Sequence, residues 1–269
     1  MANEALANGL FWCESELKTD VLKKYKIGDL RFWCVGGDNL ISLAYQYING
    51  ENYEKDAEQP PDDIKWNRWS LPHAVEKLKL SPLFPDKPIV VKPEINLKVP
   101  TNVTTRFFVR IPVWVKLELL QNKTKTELVD LPSVALSPTW FGTPMEGDLC
   151  YWITSSAKIS AEPDISRNHM ILCPISLTNK SDVELEITKL KIQVSSLSVF
   201  FDEQQLWSDD INITYRGEQD LSQIKVSGKA PNEAPEAIRL VLPRSDAKKS
   251  FTSRTFSTFK ILSGFSTNF

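Results

Sequence analysis

Two stretches of this sequence hold side chains whose types and spacing can do chemistry. The first runs from Trp140 to Trp152. Glu146 and Asp148 sit two residues apart among Trp140, Phe141, Tyr151 and Trp152, with Gly142 and Gly147 to bend the backbone and Pro144 to stiffen it. On an extended chain residues i and i+2 project to one face, so both carboxylates would lie beside aromatic rings. That combination can bind a sugar, or perform general acid/base work on one. A packed β-turn uses the same residues differently, with Trp and Phe plugging the end of a sandwich and the acids solvated. The second stretch is the even-numbered side of residues 106–116: Arg106, Phe108, Arg110, Trp114 and Lys116. Interleaved cations and aromatics can stack on rings, hold anions or receive an acidic partner. The plainer alternative lays arginine stems over Trp114 and pairs the guanidinium groups with Asp or Glu.

Elsewhere the chemical signals are weak. Phe-Trp-Cys occurs twice, at 11–13 and 32–34, which could bring Cys13 and Cys34 together in paired strands. Thiols at such positions are usually small buried hydrophobes. Cys150 and Cys173 complete the set, without CxxC spacing, and His73 and His169 are the two histidines. This is too little for a zinc site, so no metal and no cofactor is expected. The sequence contains no G-x-S-x-G, no H-E-x-x-H and no phosphate loop. No catalytic residue is therefore assigned.

Composition narrows the function classes further. A net charge of −2 and a pI near 5.9 exclude the basic excess expected of a general nucleic-acid binder. No run approaches the ~18 apolar residues of a transmembrane helix. Residues 1–10 have no basic segment followed by an apolar core, so they do not read as a signal peptide, and a cytoplasmic protein with reduced thiols is expected. The Asn-x-Ser/Thr patterns at Asn102, Asn122, Asn179 and Asn212 are then ordinary turn and strand-end residues.

The elements that must position these groups are overwhelmingly strands. Phe107, Val109, Ile111, Val113, Val115, Leu117 and Leu119 alternate without a break, which predicts one buried face of an extended strand pair. Pro112 cannot donate a ladder bond, so an edge or a bend between two strands is expected there. A hairpin should follow across residues 121–125. Strands are also predicted over 30–35 and 41–47, around the Gly36-Gly37-Asp38-Asn39 turn, and over 89–99 and 148–154. From Arg167 onward short alternating runs recur, with a phase slip near Thr188-Lys189 that predicts a β-bulge. Helix signals are few: Leu17, Val21, Leu22 and Tyr25 at helical spacing, and a tail capped at Ser245 or Asp246 through Phe251, Phe259 and Leu262. Residues 54–63 read as an exposed loop, and 160–167 as a linker.

Four segments together carry a resemblance: Leu83–Pro93, Phe107–Val115, Ser137–Tyr151 and Cys173–Ser181. The third is the most specific, because Trp, Phe, two Gly, an acidic pair and Cys-Tyr rarely coincide. The sequence resembles a family of uncharacterised archaeal and bacterial proteins with a conserved domain of unknown function. The likeness covers most of the chain and implies a prokaryotic protein, but it brings no activity, cofactor or catalytic residue.

The sequence thus predicts an all-β protein of two antiparallel β-sandwich modules with few short helices. Residues 1–160 would form a larger, irregular module, 161–245 an immunoglobulin-like one, and 246–269 a tail, read as a docked helix. The expected role is a non-catalytic binding or assembly module. Its protein or carbohydrate partner would meet the Trp140–Trp152 loop and the Arg106–Lys116 face. The alternative is a carbohydrate-active hydrolase using Glu146 and Asp148.

Overall fold

The computed structural model describes residues 12–48, 59–73, 76–94, 96–121, 124–155, 168–217, 222–245, 250–253 and 255. Among these the chain is built from strands and contains no α-helix. The sequence loop at 54–58, the linker at 160–167, Asn122, and the tail positions Phe259 and Leu262 lie outside the described residues.

The first strand, Glu14–Glu16 (β1), is short. Leu22–Ile27 (β2), Leu30–Gly37 (β3), Leu40–Tyr47 (β4) and Trp66–Ser70 (β5) then form an antiparallel meander. The helix expected from Leu17 to Tyr25 is absent, and β2 occupies its second half. Cross-strand stacking of Tyr25 on Phe32, with ring centroids 4.7 Å apart, outweighs the weak helical spacing. The hairpin turns at Gly28, whose φ of +58° and 2.8 Å approach of Ser133 O to a built Cβ both require glycine. The next hairpin turns through Asp38-Asn39, between Gly37 and Leu40, as its sequence predicts.

Lys77–Leu83 (β6), Ile89–Pro93 (β7) and Leu97–Val99 (β8) lead into Thr104–Pro112 (β9) and Trp114–Gln121 (β10). The alternation from Phe107 to Leu119 is realised in full, with every odd-numbered residue no more than 2% exposed. The run is two strands that part at Pro112, as the missing N–H suggests, and the two lie in different sheets. β10 lies between β6 and Thr124–Pro132 (β11), whereas β9 pairs with Met170–Asn179 (β14). The chain changes sheets at Pro112-Val113. Proline has no N–H to lose there, and Val113 is satisfied on both sides: its N–H donates to His169 O at 2.9 Å and its C=O accepts from Ser133 N at 3.0 Å.

Ser137–Gly142 (β12) and Gly147–Ser155 (β13) form a hairpin, and β13 runs parallel to β7. After β14 come Leu185–Ile187 (β15) and Leu190–Ile192 (β16). The phase slip at Thr188-Lys189 is not a bulge within one strand: β15 pairs with β8, and β16 with β7. Each half of the slipped pattern buries its own apolar set by joining a different sheet.

Val199–Phe201 (β17), Leu206–Ser208 (β18), Ile211–Tyr215 (β19), Ser222–Val226 (β20), Ile238–Val241 (β21) and Ser250–Ser253 (β22) complete an eight-stranded sheet with β9 and β14. Residues 250–253, expected at the start of a helical tail, are extended and pair with β20. Most pairs are antiparallel, but β14 runs parallel to both β18 and β19. β18 and β19 share one edge of β14 in succession, interrupted by Asp209-Asp210. The sheet forks at that break, into β18–β17–β21 and β19–β20–β22.

The pairs β9–β14, β7–β16 and β8–β15 all join strands from either side of residue 160. A single apolar cluster runs with them from Leu17 to Val226. No helix among the described residues is long and apolar enough to cross a membrane.

Candidate functional site

The β12–β13 hairpin carries the first group of residues singled out by the sequence. Gly142 and Gly147 are its closing pair, and Thr143 to Glu146 make the turn. Thr143 N–H donates to Glu146 O at 2.9 Å, and Glu146 N–H donates to Thr143 Oγ1 at 3.0 Å. Gly142 has φ +129°, and a Cβ there would lie 2.4 Å from Glu146 O. A Cβ on Gly147 would lie 2.6 Å from the Trp140 indole, so this glycine is the seat of the ring. Trp140 Nε1–H also donates to Thr143 O at 2.9 Å. The indole is thereby fixed while remaining 54% exposed, with Leu149 opposite at 49% and Met145 at 94%.

The register divides the expected site between two faces. Trp140, Leu149 and Tyr151 share one. Phe141 and Asp148 face each other on the opposite side, which also carries Cys150 and Trp152. Buried Phe141 packs there with Val90 and Cys150, against half-buried Trp152. Lys191 Nζ donates to Asp148 Oδ2 at 2.5 Å and lies 5.4 Å from the centre of the Phe141 ring. Lys189 stands 5.3 Å over Trp152. Glu146 belongs to the turn and not to an extended run, so the i, i+2 rule that would place it beside Asp148 does not operate.

On the Trp140 side, Tyr151 joins a second cluster. Its hydroxyl donates to Asp86 Oδ1 at 3.0 Å, while Lys87 Nζ donates to Asp86 Oδ2 at 2.7 Å and to the Tyr151 oxygen at 3.2 Å. Partial burial pushes the Asp86 carboxyl up, but the Lys87 and Tyr151 donors outweigh it and hold it below the usual carboxylate range. The Tyr151 ring is 6.2 Å from Trp114, and Arg244 lies 5.5 Å over the other ring. Arg244 is anchored in turn by Phe84 O at 2.7 Å and Asp130 at 2.8 Å. Trp114 and Tyr151 are thus where the two predicted groups of residues meet.

The rest of the strand face is already partnered. Arg106 donates to Asp210 Oδ1 at 2.5 Å, to both Glu233 oxygens at 2.7 Å, and to Ser176 Oγ at 2.8 Å. Phe108 lies beneath it, buried among Leu172, Phe200, Trp207, Ala234 and Ala237. Arg110 is half-buried, with its backbone N–H 3.4 Å from Ser155 Oγ. Lys116 pairs with Glu127 and lies 3.9 Å from Glu118. Sequence reasoning named none of Asp86, Lys87, Lys191, Asp210, Glu233 or Arg244, because each comes from a strand or loop remote in the chain. Asp209-Asp210 left a usable signal: two acids in succession interrupt an otherwise apolar alternation.

The thiols are poor nucleophiles. Burial pushes Cys34 and Cys173 up to about 12 and Cys150 up to about 11, and it also raises Cys13. Among the described residues no group of three or more His, Cys, Asp and Glu is arranged to hold a metal ion.

Residues 11–260 match the model of a family described as Protein of unknown function (DUF432), and the chain belongs to that family. No curated protein and no solved structure matches it.

Proposed function

We propose that this DUF432 protein is a non-catalytic binding module that meets a protein partner through the tip of the β12–β13 hairpin. One observation carries the reading: Trp140 is more than half exposed yet held in place by Gly147 and by its bond to Thr143 O. An exposed aromatic that has already lost its rotamer freedom is a low-cost anchor, as at the hot spots of protein interfaces. Its exposed neighbours Leu149 and Met145 are apolar, which suits an apolar pocket on a protein better than the hydroxyl-rich surface of a sugar. The hydrolase alternative draws little from the geometry, because Asp148 is engaged by Lys191 and Glu146 sits on the turn.

A photo-reactive amino acid placed at Met145 in the native cell tests this. The expected result is a discrete protein adduct, lost when Trp140→Ala and Leu149→Ser are combined, and no retention on a glycan array. The reading is overturned if no adduct forms or if the adduct survives the double substitution. Trp140-dependent retention on glycans would overturn it in favour of a carbohydrate partner.

A further inference from the structure

A half-open cavity of about 230 Å³ lies at the fork in the eight-stranded sheet, lined by residues other than those of the hairpin. Asp209, at the break between β18 and β19, lines it together with Ser196, Ser198, Gly228, Arg239 and Leu242. Asp209 is 1% exposed. Its Oδ2 accepts the Ser198 N–H at 2.5 Å, but its Oδ1 has no hydrogen-bond partner among the described residues. A buried carboxylate oxygen without a donor is costly, and natural proteins rarely retain one without a use. Asp210, the next residue, is by contrast paired with Arg106 through its Oδ1.

The opposite charge is at hand. Arg239 is exposed, lies 5.1 Å over the face of Phe200, and donates through Nη2 to Gly228 O at 2.5 Å. That leaves its Nε–H and Nη1–H groups to donate elsewhere. A buried acid, two serines and an arginine therefore border one small space, together with Val226, Pro243 and exposed Leu242. The volume is below the ~300–1,000 Å³ typical of drug-sized ligand sites, so the occupant must be small.

We propose that this cavity binds a small zwitterion of the amino-acid type, its ammonium group on Asp209 and its carboxylate on Arg239. Asp209 Oδ1 is out of reach of water in this structure, so a small turn of the side chain is needed to bring it to the ammonium group, and charge-assisted bonds of both signs then fix the orientation of the ligand. Burial pushes the Asp209 carboxyl up, with the Ser198 N–H, its own N–H, Arg239 and the Ser198 hydroxyl pulling against it; a bound cation pulls the same way.

The full chain is titrated calorimetrically with a panel of free α-amino acids, their N-acetyl derivatives and their amides. At least one free amino acid should bind with a Kd below about 1 mM, and each derivative, lacking one charge, at least about tenfold more weakly. Asp209→Asn, which keeps an acceptor for the Ser198 N–H, should weaken binding by at least about tenfold. Leu242→Trp, at an exposed position, should obstruct the cavity and abolish it. The proposal is overturned if no amino acid binds at concentrations of about 10 mM, or if the N-acetyl form binds as tightly as the free one. Binding that survives Leu242→Trp places the ligand elsewhere and overturns it too. That variant decides the matter should Asp209→Asn prove unstable in a thermal melt.

Discussion

The hairpin tip and the Arg106–Lys116 strand face look alike in sequence, each mixing aromatic and charged side chains, yet the fold treats them oppositely. On the strand face Arg106 and Lys116 have acidic partners, and Phe108 is buried under a second layer. On the hairpin Trp140, Met145 and Leu149 are left to solvent, and the polar bonds there serve to hold a ring still. The difference teaches that charge and aromaticity do not by themselves mark a contact surface. What separates the strand face from the exposed tip residues Trp140, Met145 and Leu149 is whether remote segments supply partners, as they do even on the hairpin for Asp148 and Tyr151. The Asp210–Glu233 clamp closes the strand face, whereas nothing among the described residues covers Trp140.

Three measurements would break or sharpen this contrast. Phe108→Ala should be the most damaging, lowering unfolding stability by about 3 kcal/mol in urea titration, because it opens a cavity between β9 and the layer over it. A loss below about 1 kcal/mol would mean that the strand face is not a packed interior. Arg106→Ala should follow at about 2 kcal/mol, since it strands Asp210, whose side chain is only 9% exposed. The loss should depend on pH. Burial raises the Glu233 carboxyl, but its bonds to Arg106 prevail and hold it below its ordinary value. Stability from this pair is therefore present above the ordinary glutamate pKa of about 4.3 and disappears as the pH falls through the depressed one. Wild type and variant should accordingly converge in acid, and a gap that is constant with pH would refute the ion-pair account. Smallest of all, Trp140→Ala should shift the melting free energy by only about 0.5 kcal/mol. A large loss there would make the indole a structural plug and remove it as an anchor for a partner.

Much of the strand content was legible in the sequence because burial alternates so cleanly: Phe107 to Leu119 could be placed residue by residue. The sheets to which the strands belong were not. Pro112 did mark a bend between two strands, but nothing local says that those strands belong to different sheets, and the slip at Thr188-Lys189 reads equally well as a bulge or as a break. The segment from Leu17 to Tyr25 misled for a related reason, since its spacing is helical while its fate is set by Phe32 across the hairpin. At the candidate site the glycines and aromatics were visible, but their division between two faces was not. A turn of four residues at Thr143–Glu146 takes Glu146 out of the strand and leaves Asp148 on the side of Phe141. Lys191 and Glu233 escaped notice because a partner brought from far along the chain leaves no mark near the residue that it satisfies.

The pairing of β9 with β14, β7 with β16 and β8 with β15 also bears on synthesis. When a ribosome has released only the first 160 residues, β7 has β13 along one edge only, and β8 and β9 have no paired strand among those described. Apolar edges without neighbours recruit strands from other chains. Contacts of such long sequence separation also form slowly. The growing chain must therefore pass through an interval of exposed edges that ends only when β14 to β16 emerge, and translation speed and chaperone access over that interval bear directly on the yield of folded protein.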